Sequence, residues 1–583
     1  MNYLYTSFFK NVIRLGKLAL YHCDACNTPL LKKTCSCGEK VRKVAITPPG
    51  DIRPAFEFDK RLIEKTIEKQ FGDAWMPEVV ILNATPAIDR KDEVIIDGKV
   101  AGNLVYDIWE KCFKFQPRPW YVSLLKIKRG YVVADDGALP YILKTANLMA
   151  PGVKEADENI REGDEVVVLD REGNVVATGM AKKNGKEMVG SKGMAVKIRW
   201  RGVEEAKKGK KITWNKVLNE NEDVILSMIG NEKKFIQNTI EKYGLPYVVS
   251  FSGGKDSLAT LLLLLDAGYE PELLFLNTGL EFDETVNNVY ETAAKYGLEL
   301  KEGKAGEKFW EAIDFFGIPA RDYRWCCKTC KLGVAAMLIK KYYPHGVLSF
   351  IGQRRYESQH RAEHGKIWKN PWVHGQIAAS PIQNWTAMHI WLYLFMKKAK
   401  WNPLYEQGFS RIGCWLCPAS DMAEFHLKKH KDWGRFEEKL QKFATKHKLP
   451  KEWLSLGLWR WRKPPRWSEI KYEIKAEREY VIEGNEERIE NFLKIVGDVK
   501  KIKEGEYEVG GIRVRLGKEI EISEKEELIK DVIYRAINCV GCGVCVAKCS
   551  QNAISIINGK AYITDNCIHC LQCMDECPVI VFR

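Results

Sequence analysis

Pro246-Tyr247-Val248-Val249-Ser250-Phe251-Ser252-Gly253-Gly254-Lys255-Asp256-Ser257, followed by the leucine-rich run 258–266, decides the fold of the largest part of this chain. Residues 246–251 read as a strand, 258–266 as a helix, and a glycine-rich turn joins them. Such a turn binds phosphate. The glycines let backbone approach oxygen atoms closely, the N–H groups that open the helix point at the anion, and the helix dipole favours negative charge. Lys255 adds a point charge and Ser257 a hydroxyl. The spacing is neither G-x-x-x-x-G-K-[ST] nor G-x-G-x-x-G, so two commoner phosphate loops are excluded at this position.

Further pieces follow in order. A second strand near 273–276 leads into Asn277-Thr278-Gly279-Leu280-Glu281-Phe282-Asp283-Glu284-Thr285. Then come Gly352-Gln353-Arg354-Arg355-Tyr356-Glu357-Ser358-Gln359-His360-Arg361, Pro381-Ile382-Gln383-Asn384-Trp385-Thr386, Asn402-Pro403-Leu404-Tyr405 and Ile412-Gly413-Cys414. The glycine-rich turn resembles the SGGxDS signature of PP-loop ATP pyrophosphatases. The set as a whole, over about residues 246–418, resembles the phosphoadenylyl-sulfate (PAPS) and adenylyl-sulfate (APS) reductase family. Asn277 and Asp283 stand where that family has Asp and Pro.

The resemblance implies a central α/β domain (204–440), a parallel sheet with helices of the adenine nucleotide alpha hydrolase-like kind. It implies nucleotide binding by Ser252, Gly253, Gly254, Lys255, Asp256, Ser257, Thr278 and Gly279. It also implies sulfate or phosphate binding by Arg354, Arg355 and Arg361, whose guanidinium forks suit tetrahedral oxyanions.

Five cysteines lie inside that domain: Cys326, Cys327, Cys330, Cys414 and Cys417. Cys327 and Cys330 with Cys414 and Cys417 have the spacing of a zinc site. The adjacent pair plus a distant C-x-x-C resembles the pattern by which APS reductases hold a [4Fe-4S] cluster, and the resemblance favours the cluster. The family's usual C-terminal Glu-Cys-Gly-Leu-His does not occur: after Cys417 the next cysteine is Cys539. No catalytic residue is assigned, and Cys330 and Cys112 are weak candidates for a nucleophile.

Two further cysteine sets are clearer. Cys539, Cys542, Cys545 and Cys549 run C-x2-C-x2-C-x3-C, and Cys567, Cys570, Cys573 and Cys577 repeat it. This is a two-cluster ferredoxin pattern in which the fourth cysteine of each run serves the other cluster. Cys539, Cys542, Cys545 and Cys577 are expected to hold one [4Fe-4S] cluster, and Cys567, Cys570, Cys573 and Cys549 the other, in an α+β module over 531–583. Near the N-terminus, Cys23, Cys26, Cys35 and Cys37 form two close pairs on a short loop and predict a zinc ribbon over 1–45.

Residues 46–130 read as a small α+β domain, with a helix near 58–71 and strands near 79–82 and 93–96. From 131 to 203 short apolar strands alternate with glycine turns, which predicts a small β-barrel. Leu148-Met149-Ala150-Pro151-Gly152, Glu162-Gly163-Asp164, Gly179 and Lys192-Gly193 resemble a PUA domain, an RNA-binding module. The tract Lys207, Lys208, Lys210, Lys211 follows and is suited to phosphate contact. Residues 441–530 read as a connecting domain whose tryptophans, Trp453, Trp459, Trp461 and Trp467, pack modules together.

The 583 residues are 45% hydrophobic and 29% charged, with a net charge of +14 and 18 cysteines, all but Cys112 in close groups. No apolar run approaches the roughly 18 residues of a membrane span. Lys10, Arg14 and Lys17 interrupt the N-terminal apolar patches, so a signal peptide is not expected and the expected location is the cytoplasm.

Two functions follow as expectations. The first is a reductase that cuts a bound sulfonucleotide to sulfite and an adenosine nucleotide, with electrons from iron–sulfur clusters and a low-potential donor. The second is an ATP-dependent tRNA-modifying, sulfur-transferring enzyme that holds RNA with its PUA and zinc modules. The partners are accordingly an adenine nucleotide or sulfonucleotide and tRNA or another RNA.

Overall fold

A computed structural model describes residues 19–202, 206–363, 365–474, 480–517 and 520–582. Lys10, Arg14, Lys17 and the remainder of 1–18, with Val203 of the expected barrel, lie outside the described residues. Three short strands form the ribbon: β1 (Tyr21–Cys23), β2 (Thr28–Leu30) and β3 (Val41–Lys43), with β1 in the middle.

The next module is a five-stranded antiparallel meander of β4 (Ile52–Pro54), β5 (Ile81–Ala84), β6 (Lys91–Ile96), β7 (Lys99–Asp107) and β8 (Cys112–Pro117). Helix α1 (Glu57–Phe71) lies between β4 and β5 and buries Ile63, Ile67 and Phe71, four residues apart and so on one face. Gly72, at φ 85°, ends it in the left-handed conformation that glycine adopts without cost.

β9 (Tyr131–Ala134), β10 (Leu148–Met149), β11 (Val153–Ala156), β12 (Glu165–Leu169), β13 (Val175–Ala181) and β14 (Met194–Arg201) pair in the order β10-β14-β13-β12-β9-β11. β10 and β11 are the two edges of this sheet, yet only residues 150–152 separate them in the chain. The edges must therefore meet, which closes the sheet into the expected barrel.

A 30-residue helix, α2 (Trp214–Tyr243), leads into the central module. The ribbon is seated on its first half: Glu220 accepts from Ser36 Oγ at 2.5 Å and Asn221 Oδ1 from Leu31 N at 2.7 Å. The tract 207–211, read as a phosphate contact, bears on the same corner. Lys210 Nζ donates to Ala25 O at 2.8 Å and Gly209 N to Asp97 at 2.8 Å, although the lysines remain exposed.

The central sheet is built from β15 (Tyr247–Ser250), β16 (Glu272–Asn277), β17 (Leu300–Lys304), β18 (Val347–Ile351), β19 (Ile367–Lys369) and β20 (Gln376–Ala379). Its order is β17-β16-β15-β18-β20-β19, parallel except for the edge strand β19. Because β16 and β18 flank β15 on opposite sides, the chain direction switches at β15 and opens a crevice beyond its carboxyl end.

Helix α3 (Lys255–Asp266) follows β15 and buries Leu258, Leu261, Leu262, Leu263 and Leu264, which is why its sequence is leucine all round rather than on one stripe. α4 (Asp283–Tyr296) follows β16, α5 (Gly333–Tyr342) precedes β18, and α6 (Ala387–Met396) follows β20.

In the last third, β21 (Val499–Lys503), β22 (Glu506–Val509), β23 (Ile512–Arg515) and β24 (Glu521–Ile522) form a meander. α7 (Glu526–Asn538) then leads into the C-terminal module with its hairpin of β25 (Ile554–Ile557) and β26 (Lys560–Ile563). Among the described residues no helix is long and apolar enough to cross a membrane.

The tryptophans of 453–467 are packing residues as expected. Trp453 and Trp459 are buried, Trp453 stacked on Phe443 at 5.7 Å, and Trp461 meets Trp467 edge-on at 5.8 Å. One ion pair ties this region to the meander at 46–130. Arg460 Nη2 lies 3.0 Å from Asp89, with both side chains fully buried, and Asp89 also accepts from Met422 N at 2.8 Å and Ala423 N at 3.1 Å. Removing one partner of such a pair strands the other charge in low dielectric. Asp89→Asn is therefore expected to destabilise the protein by about 3–5 kcal/mol. Urea unfolding followed by tryptophan fluorescence would show this as a lower first midpoint; an unchanged midpoint would mean that the pair contributes nothing.

Candidate functional site

The turn 252–257 sits at the carboxyl end of β15, in the crevice of the switch point. Gly253 has φ 71°, and Gly254 caps α3. Ser257 Oγ donates to Gly254 O at 2.9 Å and lies 3.3 Å from Ser252 Oγ, so the two hydroxyls brace the turn. Gly352, just beyond β18, packs on the start of α3, where an added methyl would lie 2.6 Å from Ser257 N.

Around the turn runs a line of alternating charges. Lys255 Nζ is 2.7 Å from Asp256, Arg354 Nε is 2.6 Å from the other oxygen of Asp256, and Arg354 Nη1 is 2.8 Å from Asp51. Asp51 also accepts from Ala387 N, the first residue of α6, at 2.6 Å. Burial alone would push the Asp256 carboxyl up; Arg354 and Lys255 overcome it and hold the carboxyl below the usual carboxylate range.

Arg354, expected as a sulfate or phosphate ligand, lies within this line of charges. Its side chain is buried and held between two carboxylates through Nε and Nη1, so part of its charge is already balanced before an oxyanion arrives. The other two arginines have partners of their own. Arg361 pairs with Glu357 and is half-exposed, while Arg355 donates its backbone N to Gln383 O at 2.9 Å and reaches Asn384 at 3.4 Å.

Thr278 and Gly279 close the neighbouring strand end, after β16. Thr278 donates through N and Oγ1 to Glu281 at 2.9 and 2.8 Å, and Gly279 turns at φ 75°. Sequence reasoning gave no role to Asp51, Asn402 or Tyr405. Asn402 Nδ2 donates to Gly253 O at 3.3 Å and to Thr285 Oγ1 at 3.0 Å, and Tyr405 Oη accepts from Lys255 N at 2.9 Å. The Asn402-Pro403-Leu404-Tyr405 stretch had been noticed and could have yielded two of the three; nothing local marks Asp51.

The central cysteines lie beside this strand end. Thr278 Oγ1 is 3.7 Å from Cys414 Sγ. Cys326 precedes a π-helical turn, Cys327–Leu332, a local widening that recurs at functional sites. A hydrogen bond from Cys326, with Arg324 and Lys331 nearby, brings the Cys327 thiol down to about 5 against the effect of burial, and Arg324 Nη2 is 3.7 Å from its sulfur. Cys414 is pushed well up by burial and then by Glu281, Cys417 and Cys327, and Cys326 is raised in turn by Cys327, Cys414 and Cys330, so all five central cysteines are electrostatic neighbours. Cys330 is more deeply buried, 3.4 Å from Thr329 Oγ1, within the aromatic cluster that contains Phe309 and Trp325. Cys326, Cys327, Cys330, Cys414 and Cys417 thus offer thiol donors for one metal group beside this strand end.

In the C-terminal module Cys539, Cys542, Cys545 and Cys577 line one cavity together with Arg535. Cys577 thus joins the first three cysteines, as the crossed ligand pattern requires. Cys573, Cys549 and Cys570 are the charged neighbours of Cys567, so the second set is also gathered. Backbone N–H groups already point at two of the sulfurs: Ala561 N is 3.3 Å from Cys539 Sγ and Ala553 N 3.3 Å from Cys549 Sγ. These residues fit two iron–sulfur clusters.

In the ribbon the four sulfurs of Cys23, Cys26, Cys35 and Cys37 all lie within 4.8 Å of one another, a spacing that fits a tetrahedral zinc ion.

The C-terminal module is docked on α5, the helix that continues the π turn of the central cysteines. A methyl added to Gly333 would lie 2.3 Å from Cys542 O, and one added to Gly543 would lie 2.4 Å from Met337. Lys340 Nζ donates to Val546 O at 2.5 Å.

Comparison with known proteins agrees with this layout. Residues 246–420 match the phosphoadenosine phosphosulfate reductase domain, 130–200 the PUA domain and 538–581 the 4Fe-4S dicluster domain. An uncharacterised protein of Methanocaldococcus jannaschii is 38% identical over 475 residues, 77% of this chain and 97% of that protein. The adenosine 5'-phosphosulfate reductase of Geobacillus kaustophilus is 26% identical over 194 residues, 31% of this chain and 77% of that enzyme. The crystal structure of phosphoadenylyl-sulfate reductase from Candida auris, a phosphate complex, aligns at 20% identity and a TM-score of 0.26, covering 32% of this chain and 88% of that one.

Asp51→Asn removes the carboxylate that neutralises Arg354 while keeping an acceptor for Ala387 N. It is expected to tighten binding of inorganic phosphate or sulfate about tenfold, roughly 1.4 kcal/mol. Calorimetry on wild type and variant decides it, and equal affinities would place the anion away from Arg354.

Proposed function

As a member of the phosphoadenosine phosphosulfate reductase domain family that also carries a PUA domain and a 4Fe-4S dicluster domain, this chain is, we propose, a sulfonucleotide reductase with its electron supply built in. The reaction takes two electrons. The bond between the sulfonate sulfur and the nucleotide's phosphate oxygen breaks, the oxygen stays with the nucleotide, and sulfur leaves two oxidation levels lower as sulfite. Clusters bound by the cysteine sets would supply one-electron transfers.

The chain's own residues do the rest. The turn 252–257 and the start of α3 receive the nucleotide phosphates. Lys255 balances their charge, and Arg355 and Arg361 offer guanidinium groups at the rim. Asn402 and Tyr405 hold the turn in shape from behind. The observation that carries the reading is the contact of Gly333 with the Cys542 backbone: it seats the dicluster module on the helix that extends from Cys326 and Cys327, beside the strand end that carries Thr278.

A second reading has its own support. A cleft of about 420 Å³ runs between the ribbon, the meander and the barrel, lined by Arg42, Lys43, Lys99, Arg118, Trp120 and Trp200, with no carboxylate among its described lining residues. Arg118 stacks on Trp200 at 4.0 Å. Cations beside aromatic rings suit an RNA strand. In that reading the turn 252–257 uses ATP to adenylate an RNA target before sulfur transfer.

Anaerobic assay of cluster-loaded protein separates the two. With a low-potential reductant, adenylyl sulfate or its 3′-phosphate is expected to yield sulfite, and Lys255→Ala to lower kcat/KM about a hundredfold, roughly 2.7 kcal/mol. No sulfite from either sulfonucleotide, with pyrophosphate release from ATP stimulated by tRNA, overturns the reductase in favour of the RNA reading. Gly333→Val should push the dicluster module off α5. It is expected to slow sulfite release at least tenfold with sulfonucleotide Kd unchanged; equal rates would remove that docking from the account.

A further inference from the structure

A cavity of about 400 Å³ is walled chiefly by the helix Lys308–Phe316 with the loop after it, by residues from 439 to 462, and by α7 of the C-terminal module. Its size falls within the roughly 300–1,000 Å³ of small-molecule sites. The nucleotide turn, the cysteine sets and the cleft of the barrel make no use of it.

Its walls are aromatic, and several of the rings lie nearly parallel. Phe309, Trp325 and Phe316 form a stacked column, with centroids 5.5 and 4.9 Å apart and interplanar angles of 15° and 18°. Phe316, at one end of the column, lines the cavity. Phe443 and Trp453 also line it and stack on each other at 5.7 Å and 21°. Walls of this kind select a flat ring system, which continues a stack without disturbing it. Trp453 is fully buried and its indole Nε1 has no hydrogen-bond partner. A buried donor without an acceptor is costly, and a ligand carbonyl at this wall would offset the cost.

The charged lining residues are mostly cations. Lys439, Lys442, Lys446 and Arg462 stand against one carboxylate, Asp314, which pairs with Lys439. The Arg462 guanidinium lies 4.0 Å from the centre of the Tyr323 ring, and among the described residues neither it nor Lys442 pairs with a carboxylate. An ammonium and a guanidinium fork left in this state suit a phosphate group.

The cavity touches the approaches to two cysteine sites. Tyr534, Ile537 and Asn538 of α7 belong to its lining, and Asn538 is one peptide, about 3.8 Å between Cα atoms, from Cys539. Phe316 stacks on Trp325, whose next residue is Cys326.

We propose that this cavity binds flavin mononucleotide, with the ring system among Phe316, Phe443 and Trp453 and the phosphate at Lys442 and Arg462. An adenine nucleotide shares the flat ring and the phosphate, but its two-ring base fills less of the cavity. A flavin also suits the place, because it carries electrons and the cavity lies between residues next to Cys326 and Cys539. The assignment asks for no particular substrate at the turn 252–257.

The test is equilibrium dialysis of the cluster-loaded full chain against flavin mononucleotide and riboflavin, with free flavin read by its fluorescence in the protein-free chamber. Adenosine monophosphate, inorganic phosphate and adenylyl sulfate are added as competitors. The mononucleotide is expected to bind at a single site, and riboflavin, which lacks the phosphate, about tenfold more weakly, roughly 1.4 kcal/mol. In the double variant Lys442→Gln, Arg462→Gln the mononucleotide should fall to the riboflavin affinity while riboflavin itself is unchanged. Phe316→Leu should weaken both flavins about tenfold. If that variant does not fold, the double variant, whose two side chains are not buried, decides alone. Failure of either flavin to bind overturns the proposal, as does a preference for the mononucleotide that survives in the double variant. Displacement by equimolar adenosine monophosphate or inorganic phosphate would mean that the flavin ring is not what is recognised, and displacement by adenylyl sulfate would move the ligand to the turn 252–257; each overturns it. Sulfite assays do not enter, so failure of the reductase reading and failure of this one are separate results.

Discussion

Asp51, Arg354, Asp256 and Lys255 form a line of alternating charges within hydrogen-bond distance of one another, and the working end of the molecule is built on it. Each of these ions loses hydration on folding, a cost of several kcal/mol that only close opposite charges repay. Alternation is what makes the line tolerable: each of the two inner charges, Arg354 and Asp256, has an opposite partner on either side. The line joins four parts of the chain, because Asp51 precedes β4, Asp256 opens α3, Arg354 follows β18, and Ala387, bonded to Asp51, opens α6. The N-terminal meander is thereby fixed to the phosphate turn. An incoming oxyanion meets at Arg354 a charge already shared with Asp51 and Asp256, so anion affinity at that point is set against those two carboxylates rather than by one free contact.

The second constraint is steric. At the docking surface of the C-terminal module the close approaches are made by glycines. Gly333 admits the Cys542 carbonyl and Gly543 admits Met337, while inside the module Gly541, at φ 59°, lies where a methyl would meet Gly559 O at 2.0 Å. Backbone packed on backbone leaves the module little room to slide or swing, unlike side chains that can change rotamer. In the proposed electron route, where tunnelling falls steeply with distance, a fixed approach matters more than a large interface. Lys340, bonded to Val546 O, adds a polar anchor on the same helix face.

What was legible in the sequence was whatever is local. Cysteine spacings, the glycine turn between strand and helix, and the alternation in the barrel strands are set by residues within a few positions of each other, and they led to the right elements. The pairing of Cys577 with Cys539, Cys542 and Cys545 was legible because the crossed pattern is itself a spacing rule. What escaped was decided by contacts across hundreds of residues. Arg354 reads as a free sulfate ligand in sequence, whereas in the fold Asp51, some 300 residues earlier in the chain, pairs with it. The lysines of 207–211 read as phosphate contacts, whereas Gly209 and Lys210 also pin the ribbon to the meander through Asp97 and Ala25. Cys330 and Cys326 are indistinguishable by spacing; only packing shows that Cys330 turns into the aromatic cluster.

That last distinction bears on how sulfur is reduced. With the ribbon set, the two sets of the dicluster module and the proposed central quartet set aside, Cys112 and Cys330 remain of the eighteen cysteines. A thiol attacks sulfur as the thiolate. Burial pushes the Cys330 thiol up to about 11 and pushes Cys112 up as well, so both stay protonated at neutral pH. Cys330 is also 1% exposed, and Cys112 begins β8 in the N-terminal meander, opposite Asp107. Neither has the charge state that covalent attack on a sulfonate demands. In the proposed reductase, a route in which electrons arrive through the docked C-terminal module asks nothing of either thiol, and the contact between α5 and Cys542 supports it.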